Sequence, residues 1–246
     1  MKRLHPLRTF LVLLFVTGAA FNSMAKPTSP AITFYKTPLV CNASPNIGCG
    51  SRAKPVLLEM EKNPAVKEAW LNRSGTMLAI VWKDKPQTQA VASPIFKENN
   101  VSFTALKEID AATYLKTFRK PGIWYHGADV DMLSREEAAT IANSAVKFAF
   151  ENKLITQDEA VKIKTDAEAY FKTELVKIRT NQQLNDYSQG KFKLALYNIA
   201  EKYIGRERAQ KAMELYQQNC EKQCKKDAAC TSSGAAKDCC SKEKTI

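Results

Sequence analysis

Residues 31–108 have a hydrophobic pattern that predicts a compact unit of strands and helices. The stretch 31–40 is rich in β-branched and aromatic residues, which is typical of a strand. In 51–63 the apolar side chains recur on one face of a helix. Residues 65–73 and 76–83 are strand-like and flank a Ser-Gly turn, which predicts a β-hairpin.

A second helix and a fourth strand complete this unit. Residues 88–100 have a helical pattern that Pro94 interrupts, and residues 101–108 form a strand-like run. The order strand–helix–strand–strand–helix–strand is that of a ferredoxin-like βαββαβ domain, whose two helices cover one face of a sheet. We expect its core to contain Met60, Trp70 and Ile80.

The pattern changes to helical periodicity in the second half of the chain. After a loop at 120–129, Ser134 and Glu137 have the spacing of a capping box, which predicts a helix that continues to about Asn152. Thr156 and Glu159 repeat this signal, and two more helical stretches follow. Short connections between such helices favour an antiparallel bundle. The predicted fold class is therefore α+β, with a ferredoxin-like domain, an all-α helical domain and a disordered Cys-rich tail.

The amino terminus predicts export. Positive residues precede an apolar stretch that is too short to span a bilayer, and small residues then predict cleavage after Ala25. We expect no stable membrane anchor and a periplasmic or secreted protein. The predicted division is 1–25 for the signal peptide, 26–108 for the first domain, 109–225 for the helical domain and 226–246 for the tail.

The charge and the motifs restrict the function. Loss of the three basic residues of the signal peptide lowers the formal net charge from +12 to +9. Lys and Glu are interspersed along the helical segments, which is typical of a solvated surface, so we expect no nucleic-acid partner. No phosphate-binding loop, zinc-protease helix or nucleophile elbow occurs in the sequence, and we expect a binding protein rather than an enzyme.

The seven cysteines are the main candidates for chemistry. Cys41 and Cys49 lie near the front of the chain, and the other five lie at its end, while none lies between. An odd number of cysteines leaves at least one thiol free or paired with another molecule.

Residues 31–108 resemble the heavy-metal-associated (HMA) domain of copper chaperones, metal-pumping ATPases and mercury-binding periplasmic proteins. The resemblance rests on Cys49 just before the first helix, on "KPVLLEMEKNPAVKEAWLNRSGTMLAIVW" as helix, strand, turn and strand, and on "NNVSFTAL" at the end. It covers about a third of the chain. It implies a ferredoxin-like fold and a site for a soft metal ion, of the Cu(I) or Hg(II) class.

The cysteine spacing departs from the family pattern. HMA domains have C-x-x-C, usually after Met, whereas Cys41 and Cys49 are separated by seven residues and no Met precedes Cys41. Only Cys49 matches a family cysteine, the second one, in position. Cys41 would have to fold back through a loop that contains Pro45 and Gly48.

Three interpretations of Cys41 and Cys49 remain open from the sequence. Two thiolates suit a soft ion, and a helix N-terminus, with Arg52 and Lys54 nearby, is expected to lower the pKa of a thiol there. An oxidising compartment would instead favour a structural disulfide. A redox pair that switches between these states is the third interpretation.

Two further groups of residues are weaker metal-site candidates. Five cysteines lie at the carboxyl end, where either a second metal site or two disulfides with one thiol left over would explain them: Cys220, Cys224, Cys230, Cys239 and Cys240. His126 with Asp129 and Asp131 is the other group, for which we favour the simpler explanation of a polar loop before a helix over a metal site.

The function that the sequence favours is therefore binding of a soft heavy-metal ion outside the cytoplasm, for delivery or sequestration. The alternatives are a disulfide-stabilised exported interaction protein without metal, whose helical domain binds a protein partner, and a thiol–disulfide redox protein.

Overall fold

The computed structural model describes residues 31–41, 43–44 and 46–226, and it has the α+β composition that the sequence predicts. The predicted signal peptide and most of the Cys-rich tail lie outside these residues. The strands are β1 Ile32–Lys36, β2 Val66–Asn72, β3 Met77–Trp82, β4 Thr104–Ala105 and β5 Trp124–His126. The helices are α1 Gly50–Lys62, α2 Ser93–Glu98, α3 Glu108–Leu115, α4 Val130–Glu151, α5 Gln157–Glu174, α6 Asn181–Asp186, α7 Phe192–Ile204 and α8 Arg206–Lys226.

The five strands form one sheet in the order β4-β1-β3-β2-β5, and all neighbours are antiparallel. β3 is the central strand, and its six residues are all buried. A short turn joins β2 to β3, and Gly75 in this turn has φ +73°, a conformation that favours glycine. The predicted hairpin of β2 and β3 is therefore confirmed.

Both faces of the sheet are covered by apolar side chains. On one face, β-strand residues such as Leu78 and Ile80 pack against Leu57 and Met60 of α1 and Phe96 of α2. The opposite face carries a smaller aromatic cluster: Phe34, Met77, Ala79 and Trp124, with Trp70, Tyr114 and Phe118 around them. Met60 and Ile80 are fully buried as predicted, whereas Trp70 is half-buried in the second cluster.

The helical part of the chain packs directly on the first face of the sheet layer. Val130 and Leu133 of α4 belong to the same core cluster as α1 and the sheet. The remaining helices bury two further clusters, one around Phe171 and one around Ile163. The capping box at the start of α5 is confirmed, since Thr156 Oγ1 accepts from Glu159 N at 3.3 Å and Thr156 N donates to Glu159 Oε2 at 2.8 Å.

Two segments differ from the sequence prediction. The strand expected at 101–108 is reduced to the two residues of β4, because Val101 N bonds to Phe96 O and Phe103 stacks on Phe96. The segment expected to be a loop at 120–129 contains β5, which pairs with β2 and makes the strand order differ from that of a four-stranded sheet. Pairing with a distant strand stabilises this three-residue strand, which has no local pattern of its own.

The buried face of β3 gives a test of the core. Ile80 is fully buried, whereas Ile109 on α3 is 82% exposed. We expect Ile80→Ala to lower the free energy of unfolding by about 2–5 kcal/mol, because it removes buried methyl groups and leaves a cavity. The matched change Ile109→Ala should cost less than about 0.5 kcal/mol. Urea unfolding of both variants measures this, and equal losses would contradict the assignment.

Candidate functional site

Cys41 and Cys49 lie side by side on a small hairpin before α1. Cys41 N donates to Ile47 O at 2.8 Å, and Cys49 N donates to Leu39 O at 2.7 Å. These bonds flank an antiparallel bridge between Val40 and Gly48. Residues next to the bridge on both strands share one face of the ribbon, so the two cysteines are diagonal neighbours. Both are free thiols, and both are buried.

The hairpin is held against the turn between β2 and β3. Gly48 N donates to Arg73 O at 2.6 Å, and Leu39 N donates to Gly75 O at 3.0 Å. The approach is too close for side chains, because a Cβ at Gly75 would lie 2.1 Å from Leu39 O and a Cβ at Gly48 would lie 2.9 Å from the Cα of Gly75. The two glycines therefore allow the sheet to fix the position of the cysteine hairpin.

Helix α4 covers this hairpin with one face. A Cβ at Gly50 would lie 2.5 Å from Ser134 Oγ, so the start of α1 touches α4 directly. Further along α4, Ile141 packs against the core cluster that contains both cysteines, and Ser144 Oγ donates to Ala43 O at 3.0 Å. With Glu137, these residues recur at spacings of three and four, which places them on one helical face.

Glu137 is the residue that sequence reasoning missed. It is 2% exposed, and its Oε2 accepts from Gly50 N at 2.9 Å and from Ser51 N at 3.4 Å. The charge of Glu137 also acts on the Cys41 and Cys49 thiols and helps to raise their pKa values. A carboxylate at the first N–H groups of a helix satisfies donors that have no partner inside the helix. Glu137 thus caps α1 across 87 residues of sequence.

The predicted capping box at the start of α4 is therefore wrong. The helix begins at Val130, four residues before Ser134, and the Ser134 hydroxyl donates to Val130 O at 3.3 Å. The side chain of Glu137 is turned towards α1 instead of its own helix terminus. A carboxyl three residues after a serine has the local signal of a cap, and only the tertiary contact decides which helix it caps.

The pKa values of the two thiols are raised, whereas the sequence predicts a lowered pKa. Burial first, and then the charge of Glu137, raises the pKa of Cys41 to about 12. The same causes, in the same order, raise the pKa of Cys49 well above its ordinary value. The N–H groups at the start of α1 were expected to stabilise a thiolate, but they donate to Glu137 instead. The expectation that the helix terminus lowers a thiol pKa is therefore wrong, and both cysteines are protonated at neutral pH.

Lys54 does not supply positive charge to the thiols, because it is used elsewhere. Its side chain is fully buried, and its Nζ lies 2.5 Å from Asp131 Oδ1 and 3.2 Å from both Leu175 O and Val176 O. Arg179 also pairs with Asp131, at 2.8 Å. This buried network joins α1 to α4 and to the end of α5.

The weaker candidates are not brought together as a metal site. His126 Nε2 lies 2.9 Å from Glu61 Oε1, and its ring contacts Trp70, whereas Asp131 pairs with Lys54 and Arg179. The grouping of His126 with Asp129 and Asp131 is therefore wrong. Over 31–41, 43–44 and 46–226, no three His, Cys, Asp or Glu side chains are arranged to hold a metal ion.

The cysteines at the carboxyl end are described only in part. Cys220 and Cys224 lie on α8, one helical turn apart, and the structure describes only their backbone. Cys230, Cys239 and Cys240 lie outside the described residues. The metal or disulfide role of this group stays a prediction.

Comparisons with family models, with curated proteins and with solved structures found no match to this chain. The resemblance to HMA domains therefore rests on the sequence motifs alone. In the part of the chain that the structure describes, no helix has the length and apolar character needed to cross a membrane.

The buried ion pair beside the site gives a prediction about stability. Asp131→Asn should cost about 3 kcal/mol, because it leaves the fully buried ammonium of Lys54 without its counterion. Lys54→Met should cost less, about 1–2 kcal/mol, because Asp131 keeps Arg179 and is about a fifth exposed to water. Guanidinium unfolding at pH 7 measures both losses. A larger loss for Lys54→Met would contradict this interpretation of the network.

The same ion pairs determine how the stability difference between the wild type and Asp131→Asn depends on pH. Burial acts to raise the pKa of Asp131, but hydrogen bonds and charges from Lys54 and Arg179 lower it below 3.8 overall. A carboxyl whose pKa is lower in the folded state stabilises the fold fully above its unfolded pKa. The advantage of the wild type over Asp131→Asn should therefore be complete above about pH 4 and decline as the pH falls below 3.8.

Proposed function

We propose that the protein binds a soft heavy-metal ion through Cys41 and Cys49. The observation that carries this proposal is the position of the two free thiols, as diagonal neighbours on one face of a fixed hairpin. Two sulfur ligands are enough for the low coordination numbers that suit Cu(I) and Hg(II), so the proposal needs no third side chain.

The arrangement of the sheet supports the ferredoxin-like part of this proposal. The order β4-β1-β3-β2, with α1 between β1 and β2 and α2 between β3 and β4, is compatible with a βαββαβ unit to which β5 is added. Cys49 directly precedes α1, as the resemblance to HMA domains requires of its second cysteine. The departure from C-x-x-C is then accommodated by the hairpin, which returns Cys41 to the side of Cys49.

Charge balance favours Hg(II) over Cu(I) at this site. Two thiolates and a divalent ion are neutral together, whereas two thiolates and Cu(I) keep one negative charge. An uncompensated charge is costly in a buried position, and the carboxylate of Glu137 beside it increases that cost. We therefore expect a divalent soft ion to be the preferred ligand.

The burial of the thiols favours sequestration over rapid delivery. Cys41 and Cys49 are 5% and 8% exposed, and α4 covers them. An ion has to displace two protons and pass this cover before it binds, and it has to pass the cover again before it leaves. Slow exchange is consistent with storage outside the cytoplasm, which the predicted signal peptide would provide.

A titration with Hg(II) tests the proposal. The starting protein has Ser at Cys220, Cys224, Cys230, Cys239 and Cys240, because these thiols would otherwise capture the ion. It should bind one Hg(II) per chain in competition with a small dithiol. Adding Cys41→Ser and Cys49→Ser should weaken binding by more than about 100-fold, since the loss of ligands costs more than the loss of their supporting contacts.

Both proteins should remain folded, with matching circular dichroism spectra, which controls for loss of structure. Equal affinity of the two proteins for Hg(II) would overturn the proposal. Tighter binding of Cu(I) than of Hg(II) would leave the thiol site in place and contradict the charge-balance argument.

A further inference from the structure

Ser144 lies in the middle of α4, but its side chain is bonded to the cysteine hairpin. Its Oγ donates to Ala43 O at 3.0 Å, across 101 residues of sequence. A serine or threonine inside a helix can instead donate to the carbonyl group four residues earlier in the same helix. The hydroxyl groups of other described residues in α4 and α5 do this: Ser134, Thr140, Thr165 and Thr173. The hydroxyl group of Ser144 thus joins α4 to the hairpin rather than to its own helix.

The hairpin is attached to the rest of the fold on both sides of Cys41. Before Cys41, Leu39 N donates to Gly75 O at 3.0 Å, in the turn between β2 and β3. After Cys41, the carbonyl group of Ala43 accepts the hydrogen bond from Ser144. The first attachment holds the hairpin to the sheet, and the second holds it to α4. Loss of the second bond would therefore let the Ala43 side of the hairpin separate from α4 while the base of the hairpin stays in place.

The Ser144–Ala43 bond lies at the outer edge of the contact between α4 and the hairpin. Ala43 and Ile141 pack against the core cluster that contains both thiols, and both are half-buried, whereas Cys41 and Cys49 are buried. Ile141 precedes Ser144 by three residues and so lies on the same face of α4. Ser144 is also half-buried. The bond therefore closes this contact on the side of the solvent, with the thiols on the inner side.

We propose that the Ser144–Ala43 hydrogen bond is a latch on the thiol site, and that its breaking is the opening step through which an ion reaches Cys41 and Cys49. This inference rests on the proposed function and adds the step that controls entry and exit. Ser144 is a positioning residue, because it acts through Ala43 and is not a ligand of the ion. Entry and exit pass through the same opening, so loss of the latch should speed both by the same factor and leave the affinity unchanged.

The size of the effect follows from the strength of one neutral hydrogen bond. Loss of such a bond should raise the population of the open hairpin by about three- to tenfold. A buried thiol reacts with a reagent only when the structure around it opens locally. Its labelling rate is proportional to the open population as long as closing is faster than labelling. The labelling rate of the two thiols should therefore rise by the same factor.

Labelling of the full chain with N-ethylmaleimide tests the latch without a metal ion. The parent protein again has Ser at the five carboxyl-terminal cysteines, and the intact mass follows the reaction. Ser144→Ala should react about three- to tenfold faster than the parent. Ser144→Thr keeps the hydroxyl group and should react at the parent rate, as should Thr140→Val, which removes a hydroxyl group bonded within α4. An unchanged rate for Ser144→Ala, or an equally fast rate for either control, would overturn the proposal.

Low concentrations of urea separate opening of the hairpin from weakening of the whole fold. Opening of a few residues exposes little surface, so the labelling rate of Ser144→Ala should rise only slightly with urea below the unfolding transition. A steep rise, with the urea dependence of global unfolding, would overturn the proposal, because a less stable fold would then explain the faster labelling.

Exchange of Hg(II) with a small dithiol connects the latch to the proposed function. Ser144→Ala should take up and release Hg(II) faster than the parent by the same factor, with an unchanged dissociation constant. A weaker affinity with unchanged rates of uptake would overturn the proposal. If neither protein binds Hg(II), the proposed function fails, while the labelling rates still decide whether Ser144 controls access to the thiols.

Discussion

The buried carboxyl group of Glu137 is the contact on which the arrangement of this protein depends. It accepts hydrogen bonds from the first N–H groups of α1, which have no partner inside the helix, and its charge acts on the two thiols that precede that helix. Burial raises the pKa of Glu137 and of both cysteines, and the charge of Glu137 raises the pKa values of the two thiols further. The chemistry of the cysteines is therefore set by a residue of the helical part of the chain.

A second buried contact, an ion pair, also joins α1 to α4. Lys54 of α1 reaches Asp131 of α4 and the carbonyl groups at the end of α5. Helix α1 is thus joined to the helical part through both a carboxylate at its first turn and an ammonium one turn later. Buried polar pairs of this kind add little net stability over apolar packing, but they are costly to break one partner at a time. They fix where α4 lies against α1.

Sequence reasoning found the elements that local signals specify. The helix and hairpin at 51–83 have clear hydrophobic periods, and the Thr156–Glu159 box lies within one turn of its own helix, so these predictions are close to the structure. The Ser134–Glu137 signal was equally good, yet Glu137 caps a helix 87 residues away. Strand β5 was missed because its three residues are ordered by pairing with β2 and not by their own pattern. The thiol pKa values could not be predicted, since burial and Glu137 determine them.

The central claim is that Glu137 and the thiols act as one unit, and a double-mutant cycle tests it most directly. The free energy of unfolding is measured under reducing conditions for the wild type, Glu137→Gln, Cys49→Ala and the double variant. The account predicts a coupling energy of about 0.5–3 kcal/mol, as expected for neighbouring residues that interact with each other. Additive losses, within about 0.3 kcal/mol, would show that the carboxylate and the thiol are independent and would contradict the account.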